Sequence, residues 1–185
     1  MQWFIVPVVL ITVLYFIIAY NRLVKTSNML KEAWSGIDVQ LKRRSDLIPS
    51  LVETVRGYSK HEQSLLIEIT EKRAAAMQAQ GTREKGLAEN ALTDGLKNLF
   101  ALAEAYPDLK ASKNFLTLQE ELVQVEDQIQ LARRYYNGAV RMLNNRVESF
   151  PSNIIAKITG FSRAEFFTLE LATERQAPEI SWEEK

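Results

Sequence analysis

Two hydrophobic patterns divide this chain. From Trp3 to Tyr20 the side chains are uncharged and mostly apolar on every face. From about residue 28 onward, apolar residues recur every three or four positions with charged residues between them. A helix rises ~1.5 Å per residue, so the first stretch just crosses a hydrocarbon core of roughly 30 Å. The second pattern is the stripe of helices that pack on one another. No strand-like alternation of useful length occurs.

Leu30, Trp34, Ile37, Leu41, Arg44, Ile48, Leu51, Val55 and Tyr58 step by threes and fours. They predict one long helix over about 28–57, kinked near Arg44 to Ser50 by Pro49. Gly57 supplies a stop, and Ser59-Lys60-His61-Glu62 has capping-box spacing for a second helix over about 59–80. Leu65, Leu66, Ile69 and Ala74–Ala76 form its buried side, and Gly81-Thr82 breaks it. A third helix covers about 84–105, carried by Leu87, Ala91, Leu92, Leu96, Leu99, Phe100 and Ala103. Tyr106-Pro107-Asp108 ends it, because a residue before proline is pushed out of helical conformation. The fourth has the cleanest period, from a Ser112 cap through Phe115, Leu118, Leu122, Val125, Ile129, Ala132, Tyr136, Ala139, Leu143, Val147 and Phe150 to Pro151.

The prediction is all-α: a transmembrane anchor over 1–21, then an antiparallel up-and-down four-helix bundle over 22–151 with long first and fourth helices. An even helix count returns the chain toward the bilayer. The 152–185 tail, with a short helix, therefore emerges at the membrane-proximal end. Its Ile154, Ile155, Ile158, Phe161, Phe166 and Phe167 suit either a short helix folded onto the bundle or a second, interfacial membrane contact.

Trp3, Phe4 and Tyr20 lie at the two ends of the apolar run, where aromatic rings favour the headgroup level. A cleaved signal peptide would carry a basic n-region and an A-x-A-like site; here Ala19-Tyr20-Asn21-Arg22 follows, which predicts an uncleaved single-pass anchor. Arg22, Lys25 and Lys31 flank one side only. The positive-inside rule then puts the N-terminus outside and the bundle on the cytoplasmic side of the cell's inner membrane.

Lysine plus arginine and aspartate plus glutamate each number 23, so the net charge is zero. A nucleic-acid binder needs a basic surplus, and none is expected as a partner. Cysteine is absent, which removes disulfides, thiolate metal sites and a cysteine nucleophile. His61 is the only histidine, so neither a bundle di-metal centre nor a zinc-hydrolase motif can be assembled. The seven glycines are scattered and form no phosphate loop. No catalytic residue, metal ligand or cofactor is predicted. Arg44 stands on the seam of the first helix, where a charge is costly unless paired. Glu126 and Asp127 on the fourth helix are the expected carboxylates, as a structural pair or as a polar patch for a partner protein. Tyr136, in Tyr135-Tyr136-Asn137, is expected in the core with its hydroxyl at the edge.

Several stretches resemble the LemA family of bacterial membrane proteins. They are Tyr20-Asn21-Arg22-Leu23-Val24, AWSGIDVQLKRRSDLIPSLVETVRGYSKHE at 33–62, AENAL at 88–92, LFALAEAYPDLKAS at 99–112, LQEEL at 118–122, ARRYYN at 132–137 and FPSNIIAKITGF at 150–161. The resemblance spans nearly the whole chain in order. It implies a four-helix bundle behind a single anchor, in the cytoplasm, and brings no established activity or catalytic residue. A magnetosome-associated branch of the family suggests membrane-organising work.

Two functions follow. One is a membrane-tethered scaffold, touching lipid through its span and assembling with itself or with other membrane proteins. The other is a small-ligand binder or enzyme using the polar residues around Arg44 and Glu126. The orientation has a direct test: a reporter fused after Lys185 is expected to be active in the cytoplasm only, and activity confined to the outside contradicts the flanking-charge reading.

Overall fold

The computed structural model describes residues 2–59 and 62–167, with side chains from residue 5 onward. All regular structure among the described residues is helical. The helices are α1 (Gln2–Tyr58), α2 (Gln63–Gln78), α3 (Gly81–Ala103), α4 (Pro107–Lys110), α5 (Lys113–Glu148) and α6 (Ser152–Thr159). The described residues thus hold as many helices as the predicted anchor, four bundle helices and short tail helix, but divided differently, and α4 is one that the pattern does not predict.

The first difference is that anchor and first bundle helix are one element. α1 runs unbroken for 57 residues, ~85 Å at 1.5 Å per residue. Residues 21–27 contain neither glycine nor proline, and Thr26 Oγ1 donates back to the Arg22 carbonyl at 2.8 Å, so no breaker separates the two parts. The seam crosses the junction through the buried Ala19, Leu23 and Thr26, continues through the half-buried Met29 and Leu30, and is buried again at Ala33, Ile37, Leu41, Arg44, Ile48, Leu51 and Val55. From Ile5 to Tyr20 the side chains other than Ala19 are exposed, and this is the helix long and apolar enough to cross a membrane.

Pro49 lies inside α1 and does not end it. Its ring nitrogen has no hydrogen for the Ser45 carbonyl four residues back. Arg73 of α2 supplies the missing donor, with Nε 2.7 Å from that oxygen. A neighbouring helix thus repairs the ladder where the sequence opens it.

α5 packs along α1 in antiparallel register: Arg146 Nη1 donates to the Arg22 carbonyl at 2.6 Å, the Tyr136 ring meets Trp34 at 5.4 Å, and Arg44 meets Glu126. The pair is covered by different elements along its length. Farthest from the apolar run, Ile48, Leu51 and Val55 share a core with Leu66 and Ile69 of α2, Leu92, Leu96 and Leu99 of α3, Leu109 of α4 and Phe115 of α5. In the middle, Ile37 and Leu41 pack with Val125, Ile129 and Tyr136 under Phe167. At the base, Ala19 and Leu23 pack with Leu143 and with Ile155 and Ala156 of α6. The 16 residues of α2 and 23 of α3 reach only ~24 and ~35 Å, too short to follow α5 to its end.

Seam positions shift in all four predicted bundle helices. Leu87, Tyr58 and Phe150, read as buried from periodicity, are exposed, as are Ala74, Ala75 and Ala91 beside the buried Ala76 and Leu92, while Glu89 and Ser59 are buried. α3 starts at Gly81 rather than after it, with the backbone at φ +77, a left-handed value open to glycine. α2 begins at Gln63; Lys60 and His61 of the expected capping box lie outside the described residues.

Arg73→Met is expected to cost about 1–3 kcal/mol by leaving the Ser45 carbonyl without a donor. Pro49→Ala, which returns the N–H, should remove most of that cost. Urea unfolding of the four proteins in detergent checks it: an equal loss with and without Pro49→Ala contradicts the repair.

Candidate functional site

The most chemically constrained point in the molecule is the Arg44 guanidinium, 2% exposed and midway along the α1–α5 pair. Its position follows from the helix seam, which steps Leu41, Arg44, Ile48 and so drives a cation where an apolar group belongs. A buried charge requires partners. Nη1 donates to Glu126 Oε2 of α5 and to Thr93 Oγ1 of α3, both at 2.8 Å. Nη2 donates to the Glu89 carboxylate of α3 and, at 3.3 Å, to the Glu89 carbonyl. Thr93 Oγ1 in turn donates to the same carbonyl at 3.0 Å.

The cluster extends outward along α5. Gln130 Nε2 donates to Glu126 Oε1 and Arg133 Nη1 to Gln130 Oε1, each at 3.3 Å. Two guanidiniums and two carboxylates therefore balance within one network. Asp127, the other carboxylate expected to meet Arg44, is exposed and takes no part in it. On a helix with 3.6 residues per turn, neighbouring positions point about 100° apart, so only one of Glu126 and Asp127 can face α1.

The tail closes the cluster. Asn144 and Asn137 of α5 each pair with one backbone unit of the chain after α6. Asn144 Nδ2 donates to the Ala164 carbonyl at 3.0 Å, and its Oδ1 accepts from Ala164 N at 2.9 Å. Asn137 does the same with Phe167, at 3.1 and 2.9 Å. The spacing is dictated by geometry: seven helical residues rise ~10.5 Å and three extended residues ~10 Å. Between them the Tyr136 hydroxyl donates to the Glu165 carbonyl at 3.0 Å. Phe167 arrives buried beside Trp34, with the Arg133 guanidinium 5.3 Å from its ring centroid.

This arrangement leaves little room for chemistry. The cavity bounded by Arg44, Glu89, Thr93, Glu126, Arg133 and Phe167 measures about 10 Å³, space for about one water molecule. A wider groove of about 300 Å³ opens between α1 and the α2–α3 hairpin. Its charges are engaged with each other, Lys85 with Asp38 at 2.5 Å and Lys42 with Asp46 at 3.5 Å.

At the other candidate positions, Arg22 and Lys25 are exposed just past the apolar run, and Tyr20 stacks edge-on with Phe161 at 6.3 Å. The side chains of Trp3 and Phe4 lie outside the described residues. Sequence reasoning missed Glu89, Thr93 and the two asparagines. Glu89 had a signal: stepping back from Leu96 and Leu92 by the same alternation lands on it. The asparagines had only their seven-residue spacing on α5.

A model of the LemA family matches residues 33–182. Magnetosome protein MamQ 2 of Paramagnetospirillum magneticum is 26% identical over 174 residues, covering 80% of this chain and 64% of its own length. Protein LemA of Metamycoplasma hominis is 28% identical over 138 residues, covering 74% of this chain and 63% of its own. The chain thus spans a little under two thirds of the length of these curated relatives.

Arg44→Met leaves the buried Glu89 carboxylate without its cation, with Glu126 half-buried beside it, and is expected to cost ~3–5 kcal/mol of unfolding free energy. Lys42→Met, in a pair whose side chains are 76% and 57% exposed, should cost under ~1 kcal/mol. Equal unfolding midpoints for the two variants contradict the assignment.

Proposed function

This chain belongs to the LemA family, and on that premise we propose that it is a membrane-anchored, non-catalytic scaffold. α1 crosses the inner membrane once, with its flanking Arg22, Lys25 and Lys31 on the cytoplasmic side. The rest of α1 and the helices packed on it, a four-helix up-and-down bundle in the distal half, form the assembling body.

The observation that carries this reading is a second apolar stripe on α5. Leu116, Val123, Leu131, Tyr135 and Met142 are all exposed. At 3.6 residues per turn they fall on one side of the helix, opposite the buried stripe of Val125, Ile129, Tyr136 and Leu143. Large apolar residues aligned along an exposed face mark an interaction surface. Glu120, Asp127 and Arg134 lie among them, giving the face charges of both signs with which to select a partner. The span offers no competing explanation for assembly: it contains no glycine, and small residues are what let membrane helices approach closely. Confinement to a bilayer raises effective concentration, so a weak contact between bodies suffices. We propose a second copy of the chain as the first partner, with other membrane proteins reached through the same face.

Light scattering of the whole chain in detergent tests this. The unmodified protein is expected to run as an oligomer, and Val123→Glu with Leu131→Glu as a monomer with unchanged helix content. A monomer from the start, or an undiminished mass for the double variant, contradicts assembly through α5.

A further inference from the structure

The base of the molecule presents a conflict between two lengths. The apolar run from Trp3 to Tyr20 has 18 residues, ~27 Å of helix, against a hydrocarbon core of roughly 30 Å. It has no turn to spare. Yet the folded body overlaps its last turns. Arg22 faces Arg146 across the α1–α5 pair, so four residues farther on, Phe150 comes level with Ile18. Ser152 shares a cleft of about 160 Å³ with Tyr15, Ile18, Arg22 and Arg146. Ile155 and Ala156 of α6 pack on Ala19 and Leu23, and Phe161 stacks on Tyr20. If α1 crosses the bilayer, α6 and the end of α5 cannot stay clear of it.

The side chains at that level suit such a place. α6 is apolar on two sides. One side is buried on α1, while the other shows Ile154 and Ile158, 52% and 70% exposed, beside Phe150 at 80%. Lys157 stands between the two isoleucines along α6, Arg22 and Arg146 line the cleft, and Lys25 is exposed three residues past Arg22. None of these four cations forms an ion pair among the described residues, whereas Glu148, the neighbouring acid, is taken by Arg163 at 2.8 Å. Long basic side chains set above exposed apolar ones match the boundary between lipid phosphates and acyl chains.

We propose that α6 and the end of α5 form a second membrane contact. Phe150, Ile154 and Ile158 enter the upper acyl region beside the span, while Lys157, Arg22 and Arg146 meet the phosphates of phospholipid headgroups. The contact rests on the reading of α1 as a membrane span. It fixes the rotation and height of the body over the bilayer, which a single helix crossing leaves free.

The absence of cysteine makes the test clean. Single cysteines are introduced in the full chain as Leu10→Cys, Phe150→Cys, Ile154→Cys, Ile158→Cys and, at the distal end, Lys97→Cys. Each is labelled with a small fluorophore and reconstituted in phosphatidylcholine vesicles with ordinary or brominated acyl chains. Positions 150, 154 and 158 are expected to lose fluorescence to bromine to an extent approaching position 10, and position 97 to lose none. Quenching at position 10 alone overturns the second contact and leaves the anchor standing. Absence of quenching at position 10 overturns the anchor, and the contact with it.

Discussion

A guanidinium sealed from water must be met by carboxylates, and in this chain that requirement fixes how the helices align. Arg44 occupies a core position of α1, so α3 and α5 are held where Glu89 and Glu126 reach it. Sliding α5 by one residue moves Glu126 ~1.5 Å along the axis and turns it about 100° away. The register that brings Glu126 to Arg44 also brings Trp34 onto Tyr136 and Arg146 onto the Arg22 carbonyl. Buried ion pairs add little net stability, yet losing one partner is costly. The consequence of the cluster is therefore alignment more than strength.

Once that alignment is set, the remaining elements follow. The α2–α3 hairpin covers the half of the α1–α5 pair farthest from the apolar run, and α6 with the extended chain after it covers the rest. The extended chain is held by side-chain amides that act as peptide groups, and its Phe167 roofs the Arg44 network. The distal hairpin and the tail thus meet at one cluster.

Much of this was visible in the residue pattern. The helical class, the strength of α5 and the burial cost of Arg44 all come from three–four spacing and from one charge placed on it. What escaped had physical causes. The junction between anchor and body looked like a boundary because hydropathy changes at Asn21, but hydropathy does not break a helix, and no glycine or proline is there to do so. Leu87 drew the α3 seam toward itself because an apolar side chain outranks a glutamate in any count of hydrophobic positions; only the unmet charge on Arg44 argues for Glu89. The pairing of Arg73 with Ser45, and of Asn137 and Asn144 with the tail backbone, joins side chains to carbonyls and amides that have no letter in the sequence. Phe150 kept the α5 period and still faces outward, since the helix ends at Glu148.

The central proposal is that this chain works by presenting an oriented helical face at a membrane rather than by transforming a ligand. The outward stripe of α5 runs along the axis of the anchor, and on the proposed function copies in one bilayer would meet side by side through it. Photo-crosslinking in intact membranes tests this most directly, with a light-activated amino acid at Leu131, on the stripe, and another at Glu53, on α1. The account predicts a covalent species of twice the chain's mass from position 131 and none from position 53. Crosslinks from position 131 to lipid alone, or an equal yield of doubled mass from both positions, would contradict it.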